Sequence, residues 1–249
     1  MLKDEIRKGS FVLGTWCDLP SPEIVNVLTK AGLDFVIIDM EHGPMDYKIA
    51  QEMVMAAECE GKEALIRVSH LCESEILRAL DIGASGIIIP HIECVGDREK
   101  AVSYTKFPPL GQRGFNPYVR SGSYHKAEAN YFSEQNKKVI LGVILEGKRA
   151  LKDLNEIIDD PYVDLIYLGT YDLSLSLGLS GDVGHPKLLR ELEKAVKKIN
   201  EAGKSVGCMI HNPEDLRKFK DLGIRFITYK VDTAIIYDSV AEIKREFDR

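Results

Sequence analysis

Asp39, Glu41 and His42 follow directly on the apolar run Phe35-Val36-Ile37-Ile38, and Gly43-Pro44 follows them. Glu146 closes a second apolar run, and Asp172 stands three residues after Gly169, at the end of a third. Two carboxylates, Glu146 and Asp172, with coordination positions left open suit a hard divalent cation such as Mg²⁺ or Mn²⁺. Such an ion can hold the carboxylate and keto oxygens of an oxo acid and stabilise its enolate as a Lewis acid. His42 is a candidate general base, and Asp39, three residues earlier, is placed to orient its ring and raise its basicity. Arg67 is a charge inside the apolar stretch Leu65-Ile66-Arg67-Val68, so an anionic ligand or a carboxylate must face it. Plainer readings stand beside these: Asp172 as a helix cap, Glu146 paired to a lysine, His42 closing a turn, Arg67 in a structural ion pair.

Bringing these distant positions together requires a particular order of elements. Apolar runs of strand length occupy 11–16, 35–39, 64–68, 86–90, 139–146, 165–169, 205–210 and 226–230. They are continuously apolar rather than alternating, as expected of strands buried on both faces. Amphipathic stretches such as 22–31, 47–60, 73–82 and 186–202 lie between them. In the last of these, Leu188, Leu189, Leu192, Val196 and Ile199 recur at helical spacing. Gly32, Gly83, Gly203 and Gly223 stand where helices stop before the next strand, the position at which a left-handed cap favours glycine. Eight βα units predict a parallel (β/α)8 barrel occupying 1–249 as one domain; no G-x-G-x-x-G follows the first strand to favour an open, doubly wound sheet. Active sites of such barrels lie at the C-terminal ends of the strands. That rule gathers Asp39, Glu41, His42, Arg67, His91, Glu146, Asp172, His211, Asn212, Lys230 and Asp232. It places Asp81, near a helix end before Gly83, on the opposite face. The irregular segment 107–131 is long enough to predict a functional loop.

The chain has 249 residues, 45% hydrophobic and 29% charged, with a net charge of −6. This composition fits an ordinary globular protein and offers no basic footprint for nucleic acid. No apolar run reaches the roughly 18 residues needed to span a membrane. The first ten residues are charged and carry no signal-peptide core, and the five cysteines are scattered without a C-x-x-C pair. A cytoplasmic location with reduced thiols is the expectation.

With the residues placed, the chain resembles the metal-dependent class II pyruvate aldolases of the 4-hydroxy-2-oxoheptanedioate aldolase family, which share a barrel with citrate lyase β-subunit and phosphoenolpyruvate mutase-type enzymes. The resemblance rests on Gly14-Thr15-Trp16, Ile38-Asp39-Met40-Glu41-His42, Arg67, Leu80-Asp81-Ile82-Gly83-Ala84, Phe107-Pro108-Pro109-Leu110-Gly111-Gln112-Arg113-Gly114, Glu146, Gly169 with Asp172-Leu173-Ser174, Gly184-His185-Pro186 and Val231-Asp232-Thr233. It implies reversible cleavage of a 4-hydroxy-2-oxo acid to pyruvate and an aldehyde. By this resemblance Glu146 and Asp172 hold Mg²⁺ or Mn²⁺ (Co²⁺ or Zn²⁺ as alternatives), and His42 with Asp39 is the acid/base. Arg67 binds the oxo acid, with Trp16, Gly169, Thr170 and Tyr171 lining its pocket. Asp81 joins a neighbour's site across an interface. It also implies a homo-oligomer, a hexamer built as a trimer of dimers, whose last helix is exchanged between subunits. Two departures stand out: the family's Gln-Ile-Glu is here Ile144-Leu145-Glu146, and its Gly-Pro-Ala-Asp is Gly169-Thr170-Tyr171-Asp172. Three other functions remain open at this point. They are another lyase or mutase on the same barrel, a Schiff-base aldolase using Lys230, and a non-catalytic relative that binds an oxo acid.

Overall fold

Eight parallel strands close into a barrel in sequence order, β1 pairing with β8. A computed structural model of the chain describes residues 1–125 and 128–249. The strands are β1 (Val12–Cys17), β2 (Phe35–Asp39), β3 (Glu63–Arg67), β4 (Gly86–Ile89), β5 (Ile140–Leu145), β6 (Leu165–Leu168), β7 (Ser205–Ile210) and β8 (Phe226–Val231). Each bound lies within one residue of the sequence expectation, and so do the helices Pro22–Lys30, Tyr47–Cys59, Glu73–Asp81 and Pro186–Glu201. Gly32, Gly83, Gly203 and Gly223 all adopt positive φ, as their place at helix stops requires.

The continuous apolarity of the strands has the expected cause. Alternate residues of one strand enter two different cores. Phe35, Ile37, Leu65, Ile88, Ile140, Ile144, Leu165, Tyr167 and Phe226 fill the barrel interior, with Phe35 stacked on Phe226 at 4.0 Å between ring centroids. Val36, Ile38, Ala64, Ile66, Ile87, Ile89, Leu141, Val143 and Ile166 face outward into the layer beneath the helices. Fully burying one such side chain contributes roughly 1.5–3 kcal/mol, so a polar substitution on either face is costly. The helix Leu2–Lys8 plugs the N-terminal mouth with Leu2 and Ile6.

The two-residue period of the strands then fixes what the C-terminal mouth presents. Phe35 and Ile37 point inward, so Asp39 does; Leu65 carries Arg67 inward; Ile144 carries Glu146; Leu165 and Tyr167 lead to Gly169. A register shift between β1 and β8 marks a bulge at Lys230, whose φ is 50°. Bulges at barrel rims re-aim side chains, and Lys230 is turned to the cavity by this one.

The described part of segment 107–131 follows the helix Val95–Thr105 and precedes β5, so it lies at the N-terminal mouth, away from the strand ends of this chain. Phe107 packs with Phe115, Tyr131 and the following Phe132 at centroid distances of 6.1, 5.8 and 4.8 Å, while Tyr118 and Tyr124 are exposed. The last helix, Asp232–Phe247, leaves Ile236, Tyr237, Val240, Ile243 and Phe247 exposed, a stripe that no other part of the chain covers among the described residues. Among those residues no helix is long and apolar enough to cross a membrane.

Candidate active site

The C-terminal mouth opens into a cavity of about 660 Å³. Its lining contains Trp16, Asp39, His42, Arg67, Glu146, Gly169, Thr170, Tyr171 and Asp172, which are nine of the ten sequence-derived site residues, Asp81 being the exception. Asp81 ends the helix Glu73–Asp81, as expected on the other face, and meets the buried Arg113 at 3.3 Å. It is therefore not part of the site within one chain.

Asp39 and Arg67 form the floor. The buried Asp39 carboxylate accepts from Arg67 Nε at 2.9 Å and from Nη2, and its Oδ1 also accepts the backbone N–H groups of Glu41 (2.9 Å) and His42 (3.2 Å). Arg67 Nη1 reaches Glu41 at 3.0 Å, and its guanidinium lies 4.6 Å over the Trp16 ring. Burial works to lower the Arg67 pKa, but Asp39 and Glu41 outweigh it and the net shift is upward. The charge inside β3 thus has two carboxylate partners. One expectation is corrected: Asp39 holds His42 through its backbone amide, and no hydrogen bond joins Asp39 to the imidazole among the described residues. Its oxygens are already committed to Arg67 and two amides. His42 is exposed at the cavity edge.

Trp16 is likewise committed. Its Nε1 donates to Tyr167 Oη (3.0 Å) and Thr228 Oγ1 (3.1 Å), and those two hydroxyls lie 2.6 Å apart. The indole supports Arg67 from below and offers a substrate no free donor. Burial holds the Tyr167 phenol far above its ordinary pKa, so it stays neutral.

The carboxylate pair sits on the opposite wall. Glu146 is buried, while Asp172, in the first turn of the helix Thr170–Ser176, is exposed to the cavity. Gly169 lies between them, and a Cβ placed there would stand 3.0 Å from Glu146 Cβ and 3.1 Å from its Oε2. The glycine leaves open the space beside that oxygen. Burial raises the Glu146 pKa; His91 opposes this, while Asp172 and Glu41 add to it. Among the lining carboxylates, Asp39 is paired with Arg67 and Asp238 with Lys230 at 2.6 Å. Asp18, Glu146 and Asp172 are left without a lysine or arginine partner. An open space bordered by two hard oxygen donors, in a mouth with surplus negative charge, fits a divalent cation. No cluster of three or more His, Cys, Asp or Glu side chains suited to a metal occurs among the described residues.

Several contributors were not given a role by the sequence. Asp18 follows β1 directly and lines the cavity, where burial, then Asp39 and Asp232, push its pKa up to about 6; its Oδ1 has no partner. The strand-end rule would have found it had it been carried one residue past Cys17. Glu41 bridges Arg67 to His91, whose Nε2 is 3.0 Å away. At the outer wall the Tyr171 ring stands edge-on to His211 at 5.5 Å, and His211 Nε2 is buried without a partner. Lys230 also lines this wall, but its hydrogen bond to Asp238 leads the causes that raise its pKa. A Schiff-base lysine needs the reverse shift, so this contact does not favour that reading.

Residues 13–238 match the HpcH/HpaI aldolase/citrate lyase family. The chain belongs to that family. Relatives of the chain are named aldolases, in agreement with the aldehyde-lyase class expected for this HpcH/HpaI protein. The 2-keto-3-deoxy-L-rhamnonate aldolase of Escherichia coli strain K12 is 30% identical over 238 residues, covering 96% of this chain and 89% of the relative. An HpcH/HpaI aldolase/citrate lyase family protein from Burkholderia cenocepacia J2315 superposes with a TM-score of 0.94 at 29% identity, covering 100% of this chain and 99% of that one. An HpcH/HpaI aldolase from Desulfitobacterium hafniense DCB-2 gives 0.94 at 26% identity, covering 100% and 97%. The comparisons support the resemblance at the level of the family as a whole, not of the heptanedioate subfamily.

Proposed function

We propose that this HpcH/HpaI protein is a divalent-cation-dependent aldolase that reversibly cleaves a 4-hydroxy-2-oxo acid to pyruvate, or a related oxo acid, and an aldehyde. The observation that carries the proposal is the pair Glu146 and Asp172 flanking Gly169, with one Glu146 oxygen beside space that a Cβ would fill. These two residues would hold Mg²⁺ or Mn²⁺. A cation held there would supply Lewis acidity toward the keto group of the oxo acid.

The chain's own residues do the rest. In the cleavage direction the C4 hydroxyl gives up its proton, the C3–C4 bond breaks, and C3 takes a proton to become the methyl group of pyruvate. His42, at the cavity edge, is assigned the proton transfers at the C4 oxygen and at C3. Arg67 presents positive charge to the oxo-acid end while Asp39 and Glu41 hold its guanidinium in place. Tyr171, His211 and Lys230 border the space left for the aldehyde. The uncovered stripe of Asp232–Phe247 supports association with another copy through that helix, in line with a homo-oligomer. Such an assembly is also the one way Asp81 reaches an active site.

The test is a panel of 4-hydroxy-2-oxo acids, with pyruvate release followed through lactate dehydrogenase. Cleavage should require added Mg²⁺ or Mn²⁺ and be lost in Glu146→Gln and Asp172→Asn. Undiminished cleavage by either variant would refute the assignment of that residue.

A further inference from the structure

His91 follows β4 in a left-handed backbone conformation, φ 57°, which side-chain-bearing residues seldom adopt. That conformation lets one residue grip Glu146 twice. The backbone N–H of His91 donates to Glu146 Oε1 at 2.7 Å, and Nδ1 stands 2.6 Å from the same oxygen. On its far side Nε2 meets Glu41 Oε1 at 3.0 Å, and Glu41 Oε2 is tied to Arg67. The ring contact at Nδ1 is an ion-pair contact that adds to the backbone hydrogen bond on the same oxygen. Oε1 is therefore occupied from two directions, while Oε2 is the oxygen facing the space at Gly169.

We propose that His91 is a positioning residue that clamps Glu146 Oε1, so that Glu146 offers a single oriented oxygen, Oε2, to a divalent cation. The inference rests on the cation reading given above. Through Glu41 the clamp continues to Arg67 and Asp39, so one chain of contacts runs from the floor of the site to its carboxylate wall. His91 remains largely exposed, 61% for its side chain, so packing does not account for its geometry. Groups that hydrogen-bond a metal-ligating side chain typically control metal affinity by 10- to 100-fold.

Two substitutions isolate the side-chain contact. Glycine and asparagine both tolerate the left-handed backbone, and asparagine alone keeps an N–H near the position of Nδ1. Mn²⁺ binding to the full chain is measured by electron paramagnetic resonance of the free ion for wild type, His91→Asn and His91→Gly. The clamp predicts near-wild-type affinity for His91→Asn and a loss of about 10- to 100-fold for His91→Gly. Equal or tighter binding by His91→Gly overturns the inference and leaves the cation reading intact. Electron spin-echo modulation from a directly bound imidazole nitrogen in wild type, absent in His91→Gly, also overturns it, because His91 would then be a ligand. Failure of wild type to bind Mn²⁺ overturns the cation reading itself, and the clamp with it.

Discussion

Replacing Arg67 by methionine separates its structural work from its contact with substrate. The substitution keeps a long apolar stem against Trp16 but removes both hydrogen bonds to Asp39 and the link to Glu41. Asp39 retains only the amides of Glu41 and His42, with its side chain 3% exposed. Leaving one partner of a buried ion pair uncompensated costs about 3–5 kcal/mol. The carboxylate borders a cavity that water can enter, so the lower end, about 3 kcal/mol, applies here. For a chain of this size that corresponds to a melting-point drop of about 6–12 °C. Circular dichroism melting at neutral pH reads it directly. The double variant Asp39→Asn/Arg67→Met should recover much of the loss, because the stranded charge is gone. A melting point for Arg67→Met indistinguishable from wild type would refute the pairing argument and leave Arg67 as a purely substrate-facing charge.

Gly169→Ala places a methyl 3.0–3.2 Å from Glu146 and Ile144, so it should weaken Mn²⁺ binding while leaving the fold intact by circular dichroism; unchanged affinity would mean that the space beside Oε2 is not used. Asp18 has a folded pKa of about 6, above the ordinary carboxylate value near 3.8, so the folded state holds its proton more tightly. Its favourable contribution is full below about pH 4 and is lost as pH rises through 6. Asp18→Asn should accordingly melt higher than wild type above pH 6, with the gap closing toward pH 4; a gap independent of pH would count against the shift.

The fold was legible because period and punctuation agreed. Continuous apolar runs, amphipathic stretches between them and glycine stops each pointed to buried parallel strands with crossover helices, and the strand bounds followed within a residue. The carboxylate pair, Arg67 and His42 were legible for a related reason: polar residues at the ends of apolar strands have few places to go in a barrel. Partnership was less visible. Nothing in the order of residues shows that Asp39 spends its oxygens on Arg67 and backbone amides rather than on the ring of His42. Strand pairing brings those groups within reach, since Asp39 stands opposite Arg67 in the β2–β3 register. His91 and Glu41 escaped a role because their link depends on a left-handed backbone at a histidine, which composition does not announce. The place of the described part of segment 107–131 was not legible, because length alone does not say which mouth of the barrel a loop occupies.

The central claim is that Glu146 and Asp172 support cation-dependent removal of a proton from an oxo acid. Exchange of the methyl protons of pyruvate for deuterium, followed by proton magnetic resonance, tests it without knowledge of the aldehyde. The account predicts exchange with Mg²⁺ or Mn²⁺ present, none after exhaustive chelation, recovery on adding the metal back, and loss in Glu146→Gln, Asp172→Asn and His42→Ala. Exchange at the wild-type rate in chelated protein, or in Glu146→Gln, would contradict it.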